Sequence, residues 1–170
     1  ANVTEDVTGG ELGGKIRARD DISKGALDRL NELAFSIIQT VNDQHRTGFG
    51  LSVAGAPPVD NQDFFTAVGN ASGAAQAMSI HAAVLADPRL VAASSSAAGS
   101  PGNNENALDL ADLENNAPVG LARPHDSWSD QVRLIGDQVA RAGRDTANYD
   151  ARMQQSTQLR EALSGVSIDE

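Results

Sequence analysis

At 170 residues the chain is long enough for one ordinary domain, and its net charge of −10 disfavours phosphate-rich partners, so nucleic-acid binding is not expected. Cysteine is absent, which excludes disulfide scaffolds, thiolate zinc sites and cysteine nucleophiles together. Only 4% of residues are aromatic against 40% hydrophobic, so Ala, Leu, Ile and Val must fill a thin core. No stretch approaches the roughly 20 apolar residues that span a bilayer, and membrane insertion is not expected. The opening residues, Ala1 to Asp6, are polar and acidic, unlike a signal peptide, and read as a cut through a larger protein.

Residues 1–14 are polar and Gly-rich, with Gly9-Gly10 and Gly13-Gly14, and suggest the end of a β or loop segment. Residues 15–48 predict a long rod helix. Leu27, Leu30, Ala34, Ile37 and Val41 alternate in steps of three and four, Leu33 and Ile38 widen that stripe, and Gly48 and Gly50 end it. Residues 49–104 form an irregular connector, with turn chemistry at Ala56-Pro57-Pro58 and Asp60-Asn61-Gln62-Asp63. Within it, Phe64–Val68 and Ala77–Val84 suggest short strands, and Ser94 to Asn104 a polar loop. Residues 105–124 hold a short helix, to about Leu113, and a loop.

Residues 125–170 give the clearest helical pattern. Ser127 with Asp130 fits a capping box. Beyond them Trp128, Val132, Ile135, Val139, Ala142, Thr146, Tyr149, Met153, Ser156, Arg160 and Leu163 follow a four-three repeat, a rod on the order of 50 Å long. The expected fold is mainly α: two long rod-like helices packed antiparallel, with a short helix and a small irregular or β connecting region. The helix-packing seam is then Leu27, Leu30, Ala34, Ile37 and Val41 on one side and Trp128, Val132, Ile135, Val139, Tyr149, Met153 and Leu163 on the other. Thr146, Ser156 and Arg160 dilute the second half, leaving part of it for another segment or a neighbouring subunit. On that reading Val139→Asp buries a charge and costs about 2–4 kcal/mol.

Candidate chemistry is sparse, and neither catalytic, cofactor-binding nor metal-ligating residues are assigned. Gly9-Gly10-Glu11-Leu12-Gly13-Gly14-Lys15 begins like a phosphate-binding loop, but Ile16 stands where Mg²⁺ needs a hydroxyl, so a Gly-rich entry into a helix is the better account. His45, His81 and His125 share no metal-ligand spacing. In His125-Asp126-Ser127 the three residues are adjacent and cannot take triad roles. Asp60, Asn61 and Asp63 lack the rest of a calcium loop. No enzymatic activity is expected.

Several short motifs, taken in order, resemble the FlgK family of bacterial flagellar hook-associated proteins, which form the hook–filament junction. Gly9-Gly10-Glu11-Leu12-Gly13-Gly14 followed by Arg19-Asp20 resembles the start of that family's long helix. Asn42-Asp43-Gln44-His45 with Gly48 resembles its close, and Asp63-Phe64-Phe65 comes soon after. Ala86-Asp87-Pro88 with Ala92 to Ser96, then Pro101 to Asn104 and Asn106-Ala107-Leu108, resemble the return into the rod. Ser164 to Glu170 resembles the stretch before the terminal helix. Many members carry large outer domains after the Phe-Phe pair, whereas about twenty residues separate Phe65 from Ala86 here. Lys15 stands where an apolar residue is common.

The resemblance implies a structural axial component of the flagellum, here an internal fragment lacking both terminal regions. It implies secretion through the flagellar export apparatus without a cleaved signal peptide. Expected partners are the hook protein, the adjacent junction protein, further copies in the assembled ring, and an export chaperone acting through the missing C-terminal segment. The alternative reading is a free-standing helical adaptor that binds a partner helix through its heptad seam.

Overall fold

A computed structural model of the chain describes residues 10–51, 57–115 and 123–165. Residues 1–9 of the Gly-rich opening, Ala56 of the Ala-Pro-Pro turn, and most of both the 116–124 connector and the final motif lie outside this range. Among the described residues the architecture is mainly helical, with two long helices and several short ones. The chain divides into two compact units at Gln131–Val132.

The first long helix begins earlier than expected. Helix α1 spans Gly10–Arg17, a π-helical turn covers Ala18–Ser23, and α2 continues over Lys24–Thr47. Gly10, with φ +67°, makes the entry, a conformation that glycine adopts without steric cost. Extending an existing helix costs far less than nucleating one, so the 24 residues of α2 carry Gly13 and Gly14 along. In the π turn the Lys24 amide donates to the carbonyl of Arg19, five residues back, and the Ser23 hydroxyl donates to that of Ala18 at 2.9 Å. This wide turn interrupts the 3.6-residue period, so a stripe followed through both helices changes face here.

After α2 the chain is irregular but closely tied. Gly48 is extended, and a Cβ there would fall 2.1 Å from Asn106 Nδ2. Neither expected strand forms. Phe65 and Ile80 make one isolated antiparallel bridge, Phe49 bridges Asp60 and Ser94, and no strand occurs among the described residues. Instead Ala74–Ala77 is helix α3 and Ala82–Ala86 helix α4. Alanine is a poor strand former and the best helix former, which decides both segments. Short 3₁₀ turns follow at Pro88–Leu90 and Ala97–Gly99, then α5 at Glu105–Asp112.

Helix α6 spans Pro124–Ser164, about 60 Å at 1.5 Å per residue. Its start also corrects the expectation: Ser127 is not the cap, because its amide already donates to Arg123 at 3.0 Å inside the first turn. Pro124 leads the helix, where its missing N–H costs nothing. Gly165, with φ +64° and its amide on the carbonyl of Glu161, closes it in a left-handed cap.

The core is thin, as the composition requires. Its buried apolar side chains are small apart from Ile38, and buried Asn31, Asn42, His45, Ser94, Asn106 and Gln131 are as prominent. Close backbone approach compensates in places. A Cβ on Gly50 would sit 2.7 Å from the carbonyl oxygen of Arg89, whereas one on Gly69 meets nothing within 4 Å. Gly50→Ala is therefore expected to destabilise the protein by about 1–3 kcal/mol through forced backbone movement. Urea unfolding checks this against Gly69→Ala, which should shift stability by less than about 0.5 kcal/mol.

Candidate functional site

The buried face of α2 is not the apolar stripe that the periodicity picks out. Asn31, Ala34, Ile38, Asn42 and His45 are its buried residues, again at steps of three and four. Of the expected stripe only Ala34, and Ile38 at its margin, are buried. Leu30, Ile37 and Val41 are half-buried, and Leu27 is 54% exposed. Residues 62–75 pack on this face with almost no ladder pairing of their own. Their backbone groups need partners, and buried polar groups are rarely left without one. Polar side chains at the helix surface supply them.

Asn42 and His45 do most of this. The Asn42 side-chain oxygen accepts from the amides of Phe64 and Phe65 at 3.0 and 2.8 Å, while its Nδ2 donates to the carbonyl of Phe65 at 3.0 Å. His45 is fully buried, with Nδ1 2.7 Å from the carbonyl of Gln62 and Nε2 2.9 Å from the amide of Ala92. An amide N–H only donates and a carbonyl only accepts, so Nε2 presents its lone pair and Nδ1 carries the proton. One imidazole thus joins α2 to two loops. Its ring also stacks, tilted, on Phe64 at 5.5 Å between centroids, and Phe64 meets Phe65 edge-on at 4.9 Å.

The contact extends at both ends of this face. Asn31 accepts from the amide of Ala75, so residues 62 to 75 run antiparallel to α2, from His45 back to Asn31. Buried Asn106 on α5 donates to the carbonyl of Ala92 and accepts from Gln44 Nε2 at 2.8 Å and the Thr47 hydroxyl at 3.2 Å. Arg46 reaches Asp63 at 2.5 Å and Asp43 at 2.9 Å, and the bond to Asp63 holds its guanidinium above the usual range. No described buried side-chain nitrogen or oxygen lacks a hydrogen bond.

Two carboxylates brace the loops further out. Asp87 lies below the usual carboxylate range, first through the Arg89 side chain and then through the Arg89 amide, and caps the 3₁₀ turn at Pro88. Glu105 is lowered by hydrogen bonds from Ser95 and Asn103, with the side chain of Asn103 also accepting from the amides of Ser95 and Glu105. The three histidines do not converge: His81 accepts from the amide of Ala83 at the start of α4, His125 is exposed on α6, and His45 is in the loop contact. No described group of three or more His, Asp or Glu side chains is placed to hold a metal.

Residues 1–65 match the family described as flagellar hook-associated protein FlgK helical domain. Over that stretch the chain is similar to the FlgK helical domain, which supports a FlgK-family flagellar hook-associated protein. No curated protein and no solved structure matches it. The FlgK match ends at Phe65, so it takes in α1, the π turn, α2 and the Gln62, Phe64 and Phe65 backbone that His45 and Asn42 hold, but not the Ala92 amide on His45. Two of the motifs that carried the FlgK resemblance, Asn42 to His45 and Asp63 to Phe65, are one contact in the structure. Sequence periodicity missed Asn31, Asn42, His45 and Asn106. The available signal was that Asn31, Asn42 and His45 fall on the same three- and four-residue steps as Ala34 and Ile38, so that polar and apolar residues share one face.

The α6 side of the expected seam lies open. Trp128, Val132, Ile135, Val139, Tyr149, Met153 and Leu163 are all exposed, from 37% at Ile135 to 90% at Leu163. The tie seen near the start of the helix is polar, Gln131 Nε2 donating to the carbonyl of Ala26 at 2.9 Å. The cost expected of Val139→Asp on burial is therefore corrected, since Val139 is 66% exposed in the chain. In a dilute sample this variant should change stability by no more than about 0.5 kcal/mol. His45→Ala should cost about 3–5 kcal/mol, because it leaves the Ala92 amide and the Gln62 carbonyl buried without partners. Urea titration checks both, and faster hydrogen exchange at the Ala92 amide identifies the lost bond.

Proposed function

We propose that this chain is a structural subunit of the bacterial flagellum, acting at the junction that joins hook to filament. The match of residues 1–65 to the FlgK helical domain carries the proposal, because it supports a flagellar hook-associated protein. The physical character of the chain supports the finer reading. A junction part must hold its shape under torque, and directional hydrogen bonds from Asn42 and His45 fix the loop register where apolar contacts alone would slide. Long helices supply stiffness, and an exposed heptad face supplies surface for neighbours.

On this reading the protein leaves the cell through the flagellar export apparatus, assisted by an export chaperone. It contacts the hook protein on one side and the next junction protein on the other, beside further copies of itself in a ring. No helix among the described residues is long and apolar enough to cross a membrane. The role is structural rather than enzymatic. A second reading, a helical adaptor binding a partner helix, is favoured by the exposed residues of α6.

Deletion of the gene in its host separates the two. The junction role predicts hooks without filaments and loss of swimming, with rescue by the intact gene and poor rescue by His45→Ala. Normal filaments in the deletion strain would leave the adaptor reading in its place.

A further inference from the structure

The two bonds that His45 makes respond oppositely to acid. Its Nδ1–H donates to the Gln62 carbonyl at 2.7 Å, and its Nε2 lone pair accepts from the Ala92 amide at 2.9 Å. The ring is fully buried, so neither nitrogen can turn to water instead. A second proton can enter only at Nε2, where it meets an N–H that also donates. The Ala92 bond is then lost. The Gln62 bond keeps its donor, and a cationic donor strengthens it.

The charges on the neighbouring elements leave this asymmetry in place. On α2, Arg46 is paired with Asp63 of the facing loop and with Asp43, while Asp60 of that loop is exposed. Ahead of Ala92, Asp87 is paired with Arg89 at 2.8 Å. At the start of α5, Glu105 is held by Ser95 and Asn103. Among the described residues no carboxylate reaches the imidazole, whose polar contacts are two backbone groups.

We infer that His45 is a one-sided acid latch, whose protonation frees the segment around Ala92 from α2 while residues 62–65 stay bound. The release is local. Asn106 donates to the Ala92 carbonyl, and Phe49 exchanges two backbone bonds with Ser94, so the same segment stays anchored on its other sides. The freed form accepts a proton that the closed form has no room for, so acid favours it. It gains below a pH of about 6.5, where an imidazole outside the fold takes its second proton. Asp87 and Glu105, held below the usual carboxylate range, stay ionised in this window and contribute nothing to the change.

Amide hydrogen exchange of the 170-residue protein, expressed as protection factors so that intrinsic exchange cancels, tests this. Between about pH 7.5 and pH 5.5 the Ala92 amide should lose protection about tenfold, because the freed form gains tenfold for each unit below 6.5. The amides of Phe65 and Ala75, held by Asn42 and Asn31, should keep theirs. Unchanged protection at Ala92 would overturn the latch. An equal loss at Phe65 and Ala75 would overturn it as well, since the whole unit would then be opening. The ring nitrogen shifts of His45 at neutral pH must also show a protonated Nδ1 and a bare Nε2, and the other tautomer would refute the geometry. These three readings need no variant. His45→Gln offers one donor and one acceptor in an amide that does not titrate, so it should flatten the Ala92 profile. His81 and His125 remain in that protein, and a profile that persisted would place the effect elsewhere and overturn the inference.

Discussion

A loop that forms no sheet still has one donor and one acceptor per residue, and burying them without partners costs more than this small core returns. Around that demand the first unit is organised. Residues 57–106 make three isolated bridges and a few short helical turns, so much of their backbone must find bonds elsewhere. The inner face of α2 provides them through Asn31, Asn42 and His45, and α5 adds Asn106. The neighbouring requirements follow. Gly48 has no side chain because Asn106 occupies the space, and Gly50 none because the Arg89 carbonyl does. Phe64 and Phe65 stack where Asn42 and His45 hold their backbone.

Much of the helical framework was legible. Steps of three and four place α2 and α6, Gly48 ends the first, and the polar loop before Glu105 marks the start of α5. The face that each helix buries was not legible, because that depends on what comes to lie against it. An apolar stripe reports a helix packed on apolar side chains, and α2 packs largely on backbone. Spacing gave His45 no metal role and suggested no other, because its partners Gln62 and Ala92 lie 17 and 47 residues away. Periodicity has no access to such separations. The strands at 64–68 and 77–84 failed for a related reason: their hydrogen bonds go partly to side chains, which ends a ladder after one bridge.

The family resemblance reached further than the pattern did, since it singled out Asn42 to His45 and Asp63 to Phe65 before their contact was visible. It gave them only an order along the chain. Geometry adds the reason that they belong together, as a donor-acceptor set and the backbone it serves. The two units also differ in kind. Among the described residues the first has its buried polar side chains satisfied, while residues 132–165 leave nearly every side chain in water.

A core held mainly by amides and an imidazole has a thermal signature. Exposing apolar surface raises the heat capacity on unfolding, and exposing polar surface lowers it. With Ile38 the only large apolar side chain fully buried among the described residues, beside His45, Asn42 and Asn106, the first unit should unfold with a small heat-capacity change for its length. Its stability then follows a shallow curve against temperature, so it is weakened little by cold. The protein gains no great depth of stability, but keeps what it has across a wide thermal range.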